Sequence, residues 1–164
     1  MSEKDLFIKS LEMEYKTTHK VLKAYPAEQA NFTPHPKCKS AQALAFNFIF
    51  EMKGADMAID GEMDLKRIPK PPATFAEVVT AYEQAHAAFV AHVRRTPDAE
   101  LDKTVKFMVG PKKMGDLRRM DVLWFLLHDS IHHRGQFSIY LRMVDAKVPS
   151  IFSGNSTTSS ILRR

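Results

Sequence analysis

The stretch Leu126-Leu127-His128-Asp129-Ser130-Ile131-His132-His133-Arg134-Gly135-Gln136 decides how the chain is read. It lies in a proline-free run from about Asp116 to Val144, and its apolar residues recur at helical spacing. At about 100° per residue, Val122, Leu126, Asp129, His133 and Tyr140 fall within one narrow stripe. A carboxylate and an imidazole four residues apart therefore stand in the middle of the face expected to meet the core. Burying both without partners is costly, so they must be paired, protonated or bound to something. His128 and His132 repeat the same spacing, but helical angles turn both away from the stripe. Just upstream, Val122 to Leu127 is apolar nearly all round, which suits a helix that is central or shared with a second copy of the chain.

Outward from this helix, the earlier chain predicts three more. Phe7, Leu11, Thr18, Leu22 and Tyr25 mark a first helix from about Ser2 to Tyr25, ended by Pro26. Glu14 is expected on its solvated flank and His19 off the stripe. The connector Asn31 to Lys39, with Pro34 and Pro36, rejects helix. Ser40 caps a second helix that stops at Gly61, with Leu44, Phe48, Met52, Ala55 and Ile59 inward. Asn47 and Glu51 sit four apart at the edge of that face. They face either solvent or the same interior space as Asp129 and His133. After a stiff connection containing Pro69, Pro71 and Pro72, Thr74 and Glu77 have capping-box spacing. The third helix that follows uses Val78, Tyr82, Ala85, Phe89 and Val93, and it ends before Pro97. His86 and His92 flank its stripe as boundary residues. Asp98 to Asp116 reads as irregular, with Gly110-Pro111 a turn and Thr104 to Val109 an extended piece too isolated to define a sheet.

The whole is therefore expected to be all-α: a four-helix bundle over residues 1–150, with a long connection before the last helix and a polar tail over 151–164. Such bundles build their sites from residues on facing helices.

Composition narrows the function. At 164 residues, with 45% hydrophobic and 26% charged, the chain is long enough for one domain to bury a core without disulfides. Its single cysteine, Cys38, fits a reducing compartment. The amino terminus lacks the build of a signal peptide, and no apolar run near the key stretch spans a bilayer. A cytoplasmic protein with no membrane partner is expected. The net charge of +5 invites a nucleic-acid reading. The basic residues are scattered, however, apart from Lys112, Lys113, Arg118 and Arg119, and no recognition module is visible, so nucleic acid is disfavoured. Arg134 and Arg142 are read as surface or interface ion-pair residues, and Trp124 and Phe125 as core or interface anchors. Gly135 is read as a point of close helix approach.

His132-His133-Arg134-Gly135-Gln136, continued by Phe137 to Arg142, resembles the last-helix signature of the DinB-like (damage-inducible) superfamily. Lys147-Val148-Pro149-Ser150-Ile151-Phe152 and Pro34-His35-Pro36-Lys37 with Ser40 resemble further parts of it, in the same order along the chain. The resemblance implies an up-down four-helix bundle with a long second connection, commonly a homodimer. Many members hold a divalent metal through three histidines, one on the second helix and two, four apart, on the last. Matched position by position, His133 keeps one of these, Asp129 replaces its partner and Asn47 falls at the second-helix position. The expected site is then Asp129, His133, Asn47 and Glu51 around one divalent metal ion, zinc, nickel or manganese, with Gln136 and His132 bordering the pocket. A carboxylate and an amide in place of two imidazoles shift preference towards oxygen-loving metals. The implied function is metal-assisted, thiol-dependent transfer or hydrolysis of a small-molecule substrate. The alternative is a non-catalytic, stress-related or ligand-binding bundle whose metal site is degenerate, with Asp129 and His133 forming a satisfied polar plug.

Overall fold

Ser2 accepts a hydrogen bond from the Asp5 backbone N–H, and the Asp5 carboxylate accepts one from the Ser2 N–H. This reciprocal cap starts α1 (Glu3–Lys23) in the computed structural model, which describes residues 1–151. The expected polar tail lies, beyond Ile151, outside the described residues. Ser40 caps α2 (Ala41–Asp60) through the Ala43 N–H, and Gly61, at φ 84°, ends it in the left-handed conformation that glycine adopts without penalty. The Thr74–Glu77 box opens α3 (Phe75–Arg95) as the spacing predicts. A short α4 (Asp98–Leu101) follows, then β1 (Thr104–Gly110), β2 (Lys113–Arg118) and the long α5 (Arg119–Met143).

The two strands correct the all-α expectation. β1 pairs antiparallel with β2, Thr104 opposite Arg118 and Phe107 opposite Gly115. The partner strand is hidden in sequence because Lys113-Met114-Gly115-Asp116-Leu117-Arg118 offers no buried apolar residue on either face and a glycine in its middle, so it shows little apolar alternation. An isolated hairpin is marginal in water, and this one is supported from below by α5. Val105 is buried, and the Phe107 ring meets Phe125 edge-on at 5.7 Å. The hairpin thus covers part of the outer face of α5, which explains why Val122 to Leu127 is apolar nearly all round. The basic cluster at its foot is absorbed into ion pairs. Arg118 bonds Glu3, Asp102 and Asp121, and Arg119 donates to the Ile59 carbonyl.

Side-chain pairs give the helix directions. Phe7 meets Phe89 and Tyr15 meets Tyr82, so α1 and α3 are antiparallel. Phe7 also meets Trp124, while Glu14 meets Arg134, so α1 and α5 run parallel. Phe48 with Tyr82 and Asp56 with His92 make α2 and α3 parallel. Glu51 with His133 and Gly54 with Leu126 make α2 and α5 antiparallel. The order is up-down-down-up, and α1 and α2 lie across the core from each other, each packed on α3 and α5. Strict up-down alternation is therefore corrected. The connection over 61–74 must return along the bundle, and it can, because extended chain covers about 3.3 Å per residue against about 1.5 Å in a helix. Its three prolines keep it extended, and Gln42 holds it down by donating to the Pro72 carbonyl at 2.9 Å.

Phe7, Phe48, Tyr82, Phe89 and Phe137 fill the centre, all fully buried. Where α2 meets α5, Gly54 leaves only van der Waals room: a Cβ there would sit 3.4 Å from Leu126 Cδ1. That close approach lies one turn from Glu51 and brings it within reach of α5. Gly135, by contrast, faces open space, so the close approach expected there is absent. No helix among the described residues is long and apolar enough to cross a membrane.

Candidate metal centre

Glu51 is the deepest member of the site. Sequence placed it at the edge of the α2 face, yet it is only 4% exposed, because the α2–α5 contact closes over it. Its Oε1 lies 2.5 Å from His133 Nδ1, and Asp129 Oδ2 lies 3.8 Å from the same nitrogen. One ligand atom from each of Glu51, Asp129 and His133 falls within 4.8 Å of the other two. Burial is graded outward. The side-chain exposures are 5% for Glu51, 19% for His133 and 38% for Asp129, so the cluster runs from the core to the solvent edge. Asp129 and His133 are therefore at the boundary of the core, while Val122, Leu126 and Tyr140 of the same stripe are buried.

Asn47 approaches His133 from the other side. Its Oδ1 accepts a hydrogen bond from Lys39 Nζ at 2.7 Å, which turns its Nδ2 towards His133 Nε2 at 3.3 Å. An amide N–H can only donate, so Nε2 accepts, and the ring carries its proton on Nδ1, facing Glu51. Burial pushes the Glu51 carboxyl above its ordinary pKa, opposed by the hydrogen bond and charge of His133. The hydrogen bond that His133 donates to Glu51, and after it the Glu51 and Asp129 charges, raise the His133 pKa against the opposing effect of burial. The pair therefore holds a proton more firmly than a free histidine does.

Glu51 Oε2 is buried and has no hydrogen-bond partner. Glu51 also borders a cavity of about 20 Å³ beneath the cluster, lined by Glu14, Thr18, Tyr82 and Ser130 among others. On the far side of that cavity is a polar contact the sequence misread. The sequence reads Arg134 as a surface or interface ion-pair residue and Glu14 as solvated; the ion pair is there, but it is buried. Arg134 is 3% exposed, and its Nη1 bonds Glu14 Oε2 at 2.5 Å and Thr18 Oγ1 at 3.4 Å. Both side chains project into the α1–α5 seam, which exists only because those helices run parallel and adjacent.

His132 and Gln136, expected at the pocket rim, are exposed and bond each other at 2.8 Å. They lie about a quarter-turn from the His133 direction and do not enter the cluster. His128 is also exposed, over Trp124. On α3, His92 bonds Asp56 at 2.9 Å, a boundary role as read. His86 stacks on Tyr15 with ring centroids 3.6 Å apart, and burial lowers its pKa to about 4. His19 is half-buried against Glu83 rather than free in solvent.

Two carboxylates and one imidazole form a hard, oxygen-rich donor set suited to a divalent cation. The unpartnered Oε2 is what such a set has when its carboxylate is arranged for something other than a protein donor. The residues thus fit a metal, though with fewer imidazoles than the resemblance implies.

The sequence matches the DinB superfamily over residues 10–137. Among solved structures, a DinB-like protein from Bacillus subtilis superposes with a TM-score of 0.75 at 13% identity, covering 91% of this chain and 99% of that one. A DinB-like protein from Bacillus cereus gives 0.69 at 20% identity, covering 89% and 95%. Identities this low speak for the fold alone. No curated protein matches the sequence.

Proposed function

The chain belongs to the DinB superfamily, and from that premise we propose that Glu51, Asp129 and His133 hold one divalent metal ion that assists transfer or hydrolysis on a small molecule, with a thiol as the family-type co-substrate. The observation that carries this reading is the convergence of the three ligand atoms around a buried glutamate whose second oxygen has no partner. An unpaired buried carboxylate oxygen costs free energy that a cation would offset. The two carboxylates put manganese ahead of zinc or nickel. Bound there, the ion would supply Lewis acidity to a substrate oxygen or sulfur.

The protein's own groups have distinct tasks. Without the ion Glu51 fixes the His133 ring through Nδ1; with it, Nδ1 would give up its proton and become the ligand, while Asn47, itself held by Lys39, keeps the Nε2 edge in place. Asp129, the most exposed of the three, would be the ligand on the solvent side. The exposed, free Cys38 supports a reducing, cytoplasmic setting. A homodimer belongs to the same reading, and exposed Met108, Val109, Met114 and Phe125 on the hairpin and α5 are the apolar surface it would cover.

One observation favours a second reading. The 2.5 Å bond satisfies Nδ1 and Oε1 without any ion, as a closed polar plug in a non-catalytic bundle would. Metal analysis of untagged protein after incubation with manganese, nickel and zinc separates the two. Stoichiometric metal that is lost in Asp129→Ala and His133→Ala supports the enzyme reading. Metal-free parent protein under all three conditions supports the plug.

A further inference from the structure

A groove of about 510 Å³ opens on α2 beside the site, within the size range of small-molecule pockets. Lys39, Ala43, Phe46, Asn47, Phe50 and Pro71 line it, and no carboxylate does. Phe46 and Phe50 are four residues apart and so form one continuous apolar strip along the helix. Phe50 leaves 42% of its surface uncovered, and Phe46 is half-buried. At one end stands the Lys39 ammonium. One of its protons goes to Asn47 Oδ1 at 2.7 Å, which leaves two donors free. The positive end of the α2 dipole lies on the same side.

The walls are fixed before any ligand arrives. The Ala41 and Gln42 N–H groups donate to the Phe32 and Ala30 carbonyls, each at 2.9 Å, tying the connector before α2 to its first turn. The Gln42 side chain ties down the α2–α3 connection at Pro72, next to Pro71. A groove held from both sides loses little freedom when it is filled.

We propose that this groove binds a small molecule with one anionic group on an apolar body, the anion at Lys39 and the body on Phe46, Phe50 and Pro71. A single cation and about 510 Å³ suit a small ligand; a nucleic acid would need a row of cations. Asn47 is shared by the groove and the His133 contact, so the anionic end of the ligand would lie next to the cluster. The inference rests on the metal reading only in taking this molecule for the substrate; the groove itself needs no ion.

The test therefore uses metal-free protein. Titration with 4-phenylbutyrate, followed by backbone amide shifts, is expected to give saturable changes at Ala43, Phe46, Asn47 and Phe50. The neutral analogue 4-phenylbutan-1-ol should bind about fivefold more weakly. Lys39→Met should abolish that preference for the acid, and Phe50→Ser should weaken both ligands; both positions are exposed, so neither change threatens folding. Glu51→Gln, which removes the central metal ligand, should bind 4-phenylbutyrate as the parent does. Non-saturating shifts, shifts centred elsewhere, or a preference unaffected by Lys39→Met would overturn the proposal. Loss of binding in Glu51→Gln would place the ligand at the cluster instead of the groove and overturn the proposal.

Discussion

His133 and Arg134 are neighbours on α5, and each reaches a glutamate on another helix, His133 to Glu51 of α2 and Arg134 to Glu14 of α1. The two glutamates line one water-sized cavity. Their surroundings differ in what is left over. Around Arg134, Thr18 and the Glu14 carbonyl take up further donor capacity, and the guanidinium is almost sealed. Around His133, one oxygen of Glu51 has no partner, and Asp129 stands close without completing a hydrogen bond. A closed ion pair fixes helix orientation, whereas an open one with spare ligand atoms has the makings of a site. Adjacent residues on one helix thus make a buried strut and a candidate metal ligand, separated by the roughly 100° turn between them.

That contrast can be broken most forcefully at the strut. Glu14→Leu leaves the Arg134 charge buried without its partner and should lower stability to urea by about 3–5 kcal/mol. Glu14→Leu combined with Arg134→Met should recover most of the loss, because an apolar pair of similar volume removes the stranded charge. A loss below about 1 kcal/mol in the single variant would mean the pair does not brace the α1–α5 seam.

The site should behave in the opposite way. Glu51→Gln keeps a hydrogen-bonding group beside His133, so the metal-free protein should change in stability by less than about 1 kcal/mol. Manganese affinity, measured by calorimetry, should fall on the order of a hundredfold. A stability loss as large as that of Glu14→Leu, with no change in metal affinity, would make both pairs struts.

Asn47→His sharpens the comparison through metal preference. Exchanging an amide for an imidazole next to His133 should raise zinc and nickel affinity about tenfold relative to manganese. Unchanged relative affinities would place Asn47 outside the ion's reach.

The smallest effect is on titration. Because the Glu51 bond raises His133, its imidazole in metal-free protein should titrate above the ordinary value of 6.5, and Glu51→Gln should move it back down. The sign of its stability contribution follows: fully present below pH 6.5, and lost as pH rises through the raised value. Metal binding runs the other way, since the ring proton must leave, and affinity should increase over the same range. Imidazole NMR shifts and metal titrations at several pH values read both trends.

Much of this was legible in the residues. The caps at Ser40, Gly61 and Thr74–Glu77 are local chemistry, and the helices begin and end where those residues say. His133 stands out in the sequence because a polar residue in an apolar stripe shows in one helix alone, and the fold brings it within reach of Glu51 and Asp129. Glu51 is left open by the sequence between solvent and the interior space of Asp129 and His133, since its depth comes from α2 closing on α5 at Gly54. Arg134 and Glu14 were misplaced for the same reason. Each lies off its own helix's apolar centre, and only the seam between two helices buries them. The hairpin is half-visible in the sequence, because Val105 and Phe107 alternate while the partner strand, with Gly115 at its middle, has no regular apolar alternation.

The sequence by itself determined that there are four long helices, roughly where they start and stop, and which one carries the polar cluster, because capping, proline placement and helical periodicity act within a few residues. The start of α5 is the exception, since Asp116 to Arg118 pair in β2. Only the tertiary structure decided that α1 and α2 lie across the core from each other, that α2 and α3 run parallel, and that Glu51 rather than Asn47 holds the His133 Nδ1 edge. Those outcomes depend on which helix faces are pressed together, a competition among long-range contacts that no single stretch of the chain encodes.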